Sequence, residues 1–457
     1  MKSAAALLIA TTFLSSSSWA TPAPIENLFK QLDGENDQIQ AARLDREFKE
    51  QNLIGSKSRL YPSLNLSLVA NEGDDNALAA ASPSSLDSGA SSPGGGLGTS
   101  PSGSISDSDI STNGWASQLS LGYFVFTGFA VSEDVHRAEN SVASAKLNES
   151  KVAMEKKAQL LQLLMEYHNL KQVAEPLNQA VSLMEKVKSF SKKRSNLLYT
   201  TDDRLNLNEK EALLEYQKIR LDEGQSLVAA GLRSLLPNLD EQTLAGIPRF
   251  EITYPLPTNQ QMPELYDQGS IDHQINKLSE FSSSGYLKVA RWNRPWVPTI
   301  YTSASYSYTG DYKGETADGG WSASITMNFP LFDGFYSSAR LQQAKIGSRA
   351  AELRTKAEKD KRLLYIRHQR MKALVSGAEY RHLALQAAKQ QRRYQDVQKK
   401  IRQGIASRLE LSAASLELAK ARLEASDKMK EHQQALLNVA VELNQWDRVV
   451  INEISNP

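Results

Sequence analysis

Gly114-Trp-Ala-Ser-Gln-Leu-Ser-Leu-Gly-Tyr-Phe-Val-Phe-Thr-Gly-Phe129 returns later in the chain as Gly320-Trp-Ser-Ala-Ser-Ile-Thr-Met-Asn-Phe-Pro-Leu-Phe-Asp-Gly-Phe335. Both ends are separated by 206 residues (320 − 114 and 335 − 129), so the copies align without a gap. A fixed internal offset marks a duplicated structural unit. In the first copy Trp115, Leu119, Leu121, Tyr123 and Val125 alternate with Gln118, Ser120 and Gly122. In the second, Trp321, Ala323, Ile325, Met327 and Phe329 alternate with Ser322, Ser324, Thr326 and Asn328. Period two over about ten residues predicts a strand with one apolar and one polar face. It is also the length of a tilted strand crossing a bilayer, which takes ~9–11 residues. A half-buried strand pair in a soluble sandwich is the duller account of the same pattern.

The totals narrow the choice. A chain of 457 residues has ample material for a core, and a formal charge of +1 offers no electrostatic case for nucleic acid. With no cysteine there is no disulfide, no thiolate metal site and no lipid anchor on an N-terminal cysteine. Lys2, the apolar run Ala4 to Phe13 and the small residues around Ala20 predict a secretory signal peptide over residues 1–20. Beyond it no run of about 18 apolar residues appears, so an exported chain of this kind is either soluble or an outer-membrane barrel.

Residues 21–261 read as repeat 1. An amphipathic helix is predicted from Ile25 to Ile54, Pro62 opens a strand through Leu64, Leu66, Leu68 and Ala70, and residues 71–113 collapse into a Ser, Gly, Asp, Ala and Pro loop. After the Gly114 strand, residues 130–236 form a long helical hairpin, with Pro176 inside its first arm as a kink or division. Residues 237–261 are a proline-rich joint holding one short extended piece, Phe250 to Tyr254. Repeat 2, residues 262–457, repeats the order: a helix, the Pro298 turn, a strand through Ile300, Ala304, Tyr306 and Tyr308, a short loop at 309–320, the Gly320 strand, a hairpin at 336–446 and a short tail. The same offset places Leu198 at Gly404 and Thr201 at Ser407, so the two hairpin tips correspond.

Four strands cannot close a water-filled barrel, and an open edge in lipid is prohibitive, so several copies must share one. Two chains give eight strands with a side-chain-filled interior, whereas three give twelve and room for a pore. Tyr301, Ser303, Asn328 and Gln118 are then the expected water-facing residues, and Leu66, Leu121, Ile325 and Met327 the lipid-facing ones.

The paired Pro62 and Pro298 turns, the Val125-Phe126-Thr127-Gly128 and Leu331-Phe332-Asp333-Gly334 strand exits, and Arg402-Gln-Gly-Ile-Ala-Ser-Arg-Leu-Glu-Leu411 at the second tip resemble the TolC-like outer membrane efflux and secretion channels. The resemblance covers essentially the whole mature chain. It implies a mainly α protein with a membrane β-barrel: two tandem repeats give four strands per chain to a twelve-stranded barrel shared by a homotrimer. A long helical barrel continues it through the periplasm. The implied role is a passive exit duct in the outer membrane of a Gram-negative bacterium, serving tripartite efflux or type I secretion. A periplasmic adaptor and an inner-membrane pump or ABC transporter are its implied partners, and no cofactor is implied. The competing class is a periplasmic coiled-coil scaffold without transport.

The family closes its tube at the periplasmic tips. There Glu410 matches one gate acid, while the next family acid falls on Ala413. Asp202, Asp203 and Arg204 stand at the first tip, the aspartates either as helix caps or bridging to Glu410 or Arg408. Gly404 and Ser407 resemble an adaptor-binding groove, with Leu198 and Thr201 at the corresponding tip, where Leu198 replaces the expected glycine. Trp115, Phe124, Phe126, Trp292, Trp296, Trp321, Phe329 and Phe332 are the candidate membrane-interface belt. The six histidines are scattered, and no pair has the HExxH spacing of a metal site, so neither metal nor catalytic chemistry is expected.

Overall fold

The computed structural model describes residues 23–72, 113–193, 201–240, 243–244, 246–292, 297–311, 317–329, 331–406 and 408–453. The expected signal segment 1–20, residues 73–112 of the expected long loop, Leu198, Trp296 and Ser407 lie outside them. The chain opens with α1 (Ala23–Glu35), α2 (Asp37–Ser58), β1 (Ser63–Glu72), β2 (Asn113–Phe126) and α3 (Ala130–Lys193). It continues through α4 (Thr201–Leu235), β3 (Phe250–Thr253), α5 (Met262–Gly269), α6 (Ile271–Trp292), β4 (Thr299–Asp311) and β5 (Ala317–Asn328). It closes with α7 (Tyr336–Arg402), α8 (Arg408–Glu442), a short 3-10 turn and β6 (Val450–Glu453).

Two compact units result. One comprises Met1–Glu47, Ser144–Lys277 and Arg354–Pro457, the other Phe48–Ala143 and Leu278–Leu353. The second holds the four-stranded antiparallel sheet, in the order β1-β2-β4-β5. Its registers pair Leu66 with Leu119, Leu121 with Ala304, and Tyr306 with Trp321, so apolar residues meet on one face. Ser120, Ser305 and Ser322 line up across the other. Ion pairs Lys57–Glu139 (3.4 Å) and Arg59–Asp134 (3.6 Å) tie α2 to α3 within this unit.

The helical unit is built on side-chain packing. Ile25, Leu28 and Leu32 of α1 bury against Leu160, Leu161 and Leu164 of α3 and Leu232 and Leu235 of α4. Farther along the hairpins Leu177, Ala180, Leu214, Leu221, Leu416 and Ala419 form another cluster. Pro176 does not divide α3, which runs unbroken for 64 residues. The Ser415 hydroxyl of α8 donates to the Pro176 carbonyl at 3.1 Å in a buried site.

One expectation needs correction. The helix predicted from Ile25 to Ile54 is two helices, because Asn36 breaks it. Its side-chain oxygen accepts from the amides of Gln38 (3.1 Å) and Ile39 (3.3 Å), and its amide donates to the Leu235 carbonyl (3.3 Å). An N-cap asparagine that also ties down the end of α4 outweighs helical periodicity. The short tail after residue 446 carries β6, which pairs with β3, Ile451 opposite Ile252, and so closes over a buried Phe250 and Ile252.

Candidate functional site

The polar face of the sheet is a hydroxyl ladder. The Ser303 and Ser324 hydroxyls lie 2.8 Å apart and those of Ser305 and Ser322 2.9 Å. Gln118, Tyr301, Ser303 and Asn328, expected to face water, share this face by register, but Gln118 is buried rather than open to water. Across residues 63–70, 116–124, 299–309 and 320–328 the four strands carry no charged side chain at all.

The opposite face is apolar and uncovered within this chain. Leu68 is 72% exposed, Ile325 72% and Trp321 80%. Trp115 packs on Tyr308 at 5.4 Å between ring centroids. At the strand exits Phe126 meets Phe129, Phe129 meets Trp292 at 5.1 Å, and Phe332 meets Phe335, while Phe329 is exposed. Asp333 anchors the second exit by accepting from the Ser337 amide at 2.8 Å, and the Ser337 hydrogen bonds hold its carboxyl below the usual carboxylate range.

Phe124 departs from the belt expectation. The β2–β4 register shifts between Phe124 and Phe126, so Phe124 stands opposite Tyr301 whereas Phe126 stands opposite Ile300. A bulge re-aims side chains, and here it sends two phenylalanines of one strand to opposite faces. Phe124 belongs to the hydroxyl face, its ring 4.9 Å from that of Tyr301.

At the second hairpin tip Gly404 has φ +74°. Its amide donates to the Ile401 carbonyl and that of Ile405 to the Lys400 carbonyl, both at 2.9 Å. This is a Schellman closure, whose left-handed residue is best supplied by glycine. Glu410 follows in the first turn of α8, exposed, where the helix dipole favours a carboxylate. Thr201 opens α4, so Asp202, Asp203 and Arg204 lie in its first turn, and Arg408 is the first residue of α8.

A half-buried ionic cluster in the helical unit escaped the sequence altogether. Asp272 of α6 binds Lys151 of α3 at 2.7 Å and Arg362 of α7 at 3.4 Å, and Arg362 reaches Glu442 of α8 at 3.0 Å. Burial, outweighing Arg362, raises the Glu442 carboxyl above its ordinary pKa. His168 is its counterpart in sign: burial, then Arg249 and Lys171, pushes its imidazole down to about 4. Among the described residues no three His, Cys, Asp or Glu are grouped to hold a metal, and no helix is long and apolar enough to cross a membrane.

Residues 288–445, from the end of α6 through β4, β5, α7 and α8, match the family described as outer membrane efflux protein. That stretch resembles the outer membrane efflux proteins. The Campylobacter jejuni CmeC outer membrane channel superposes with a TM-score of 0.70 at 10% identity, covering 93% of this chain and 86% of that one. The open state of the Neisseria gonorrhoeae MtrE outer membrane channel gives 0.68 at 15%, with 92% and 88% covered. The Vibrio cholerae outer membrane protein VceC gives 0.65 at 14%, with 92% and 96% covered. At such identities the likeness is one of fold. No curated protein matches the sequence. The matched stretch includes Gly404 and Glu410 at the second tip and does not reach the first, where Asp202 to Arg204 stand.

Proposed function

We propose that three copies of this chain form an efflux duct through the outer membrane, gated at the helix tips and fed by a periplasmic adaptor and an inner-membrane pump. The observation that carries it is the sheet: four antiparallel strands with free edges at β1 and β5, apolar on one face and hydroxylated on the other. A lone sheet of this kind in water would expose Trp321, Ile325 and Leu68 together, a patch that marks an interaction surface. In lipid the apolar face is solvated correctly, and the strand backbone is satisfied only if β5 of one copy pairs with β1 of the next. Twelve strands then surround a hydroxyl-lined pore.

The helices support the same assembly. Leu364, Met371, Leu374 and Leu385 are exposed on α7 at intervals of 7, 3 and 11 residues, a seam of coiled-coil period suited to another copy. The tandem repeats, residues 21–261 and 262–457, supply the two strand pairs and the two hairpins. Glu410, with Arg408 and the Asp202, Asp203 and Arg204 turn, is assigned to the tip gate. Gly404, Ser407, Leu198 and Thr201 are assigned to adaptor contact. That a related fold is known as the open state of an outer membrane channel makes a gate a reasonable part of the design.

Single-channel recording in planar bilayers, with gel mobility before and after heating, tests the assembly. A heat-sensitive trimer band and stepwise conductance are expected. A monomer that stays water-soluble without detergent and never conducts would overturn the duct in favour of a periplasmic scaffold.

A further inference from the structure

On the hydroxyl face of the sheet, Phe124 and Tyr301 are the aromatic residues standing among Ser63, Ser120, Ser303, Ser305, Ser322 and Ser324. Three features build the pair into the wall. The bulge at Val125 keeps Phe124 on this face while Phe126 leaves it. Gly122 clears the floor: a Cβ there would lie 2.2 Å from the Tyr301 hydroxyl oxygen, so Tyr301 can lie along β2 only because that residue has no side chain. The Phe124 ring then rests against Tyr301 at 4.9 Å and an interplanar angle of 57°, and remains exposed.

We propose that Phe124 and Tyr301 form an aromatic platform on the inner wall of the duct, which takes planar aromatic cargo, neutral or cationic, by stacking. The proposal rests on the duct reading, since only there does the hydroxyl face meet cargo. The surroundings define the ligand class. With no carboxylate, ammonium or guanidinium on the neighbouring strand segments, an ion finds no counter-charge, and serine hydroxyls are as well satisfied by water. At this end of the wall, away from Val69 and Ala116, the ring faces prefer something to water, and their negative quadrupole favours flat π systems and cations over anions. Because Tyr301 lies along the strand, the pair paves the wall without obstructing it. Contact of this kind slows and orders cargo while leaving the path open.

Open-channel current noise tests this, with N-methylquinolinium, a planar aromatic cation, as the probe on the reconstituted wild type. Excess noise that saturates with probe concentration is expected. Phe124→Ser and Tyr301→Ser should retain open-channel conductance and shorten probe residence roughly threefold to tenfold. Phe124→Leu, which keeps the bulk without the π face, should behave like the serine variant, and Phe124→Tyr like wild type. A wild type that conducts but shows no probe-dependent noise, or the same noise as Phe124→Leu, overturns the platform alone. A wild type that never conducts overturns the duct, and the platform with it.

Discussion

Phe332 and Phe335 meet edge to face, ring centroids 5.6 Å apart and planes at 84°, across a turn whose backbone has φ of +63° at Gly334 and +67° at Phe335. Phe126 and Phe129, 206 positions earlier, do the same at 5.6 Å and 83°, over +62° at Gly128 and +64° at Phe129. A non-glycine residue in left-handed backbone costs roughly 1–2 kcal/mol, and an edge-to-face pair returns ~0.5–1.5 kcal/mol beyond its buried area. The pair therefore holds Phe335 where its backbone alone would not stay. Phe332→Leu is expected to destabilise the strand exit by about 1 kcal/mol. Gly334→Ala adds a second strained residue at about 1 kcal/mol. Thermal unfolding followed by helical circular dichroism checks both, and an unchanged Phe332→Leu melting curve would show that the rings do not hold the turn.

The two faces of β5 should respond oppositely to one added charge. Ile325→Lys puts an ammonium on the apolar face and is expected to cost about 2–4 kcal/mol of membrane insertion, read as loss of protein from outer-membrane fractions. Ser324→Lys puts it on the hydroxyl face, where insertion should be intact and the reversal potential should move toward anions. Equal loss from both variants would contradict the assignment of faces.

Arg362 holds Asp272 and Glu442 together at 3.4 and 3.0 Å, and the Glu442 Oε2 atom is buried with no hydrogen-bond partner among the described residues. Removing the cation leaves Glu442 short of a partner while Asp272 keeps Lys151, so Arg362→Met should destabilise the half-buried cluster by about 1–2 kcal/mol. Adding Glu442→Leu should recover part of that, because the paired apolar replacement leaves less charge stranded. Urea unfolding of the single and double variants decides the matter: a double variant no better than the single would show that the cost lies in packing.

His168 supplies a pH dependence. Its ordinary pKa is 6.5 and burial brings it to about 4, so the unfolded chain binds this proton more readily than the fold does. The sign follows: stability is full above pH 6.5 and declines as pH falls toward about 4. Replacing it with a neutral residue of similar size, His168→Gln, should flatten the melting temperature between pH 6.5 and 4, measured against wild type at matched ionic strength.

Strand positions, faces and the long hairpins were legible in the sequence because period two and period 3.6 are enforced residue by residue. The register shift at Val125 was not, since Phe124 and Phe126 are two apart and their separation onto opposite faces depends on what β4 offers across the ladder. Asn36 was missed because a lone asparagine inside a helical pattern reads as an interior residue, and its local cap on Gln38 and Ile39 is further tied by the distant Leu235 carbonyl. The Lys151, Asp272, Arg362 and Glu442 cluster draws on four helices and leaves no local spacing to read. Gly404 was singled out as a tip residue, and its geometry adds that α7 needs it to end.

The uncharged strand wall has a consequence in electrolyte. Between strand ends that carry Asp311 and Asp318 on the hydroxyl face by register, the lining of the proposed duct is uncharged and concentrates few ions, so in dilute buffer its conductance should stay close to proportional to bulk conductivity. A fixed-charge lining would instead level off as the buffer is thinned. Along that inner stretch the proposed duct would be close to ohmic and indifferent to sign, leaving discrimination between ions to the charged residues at the strand ends and the helix tips.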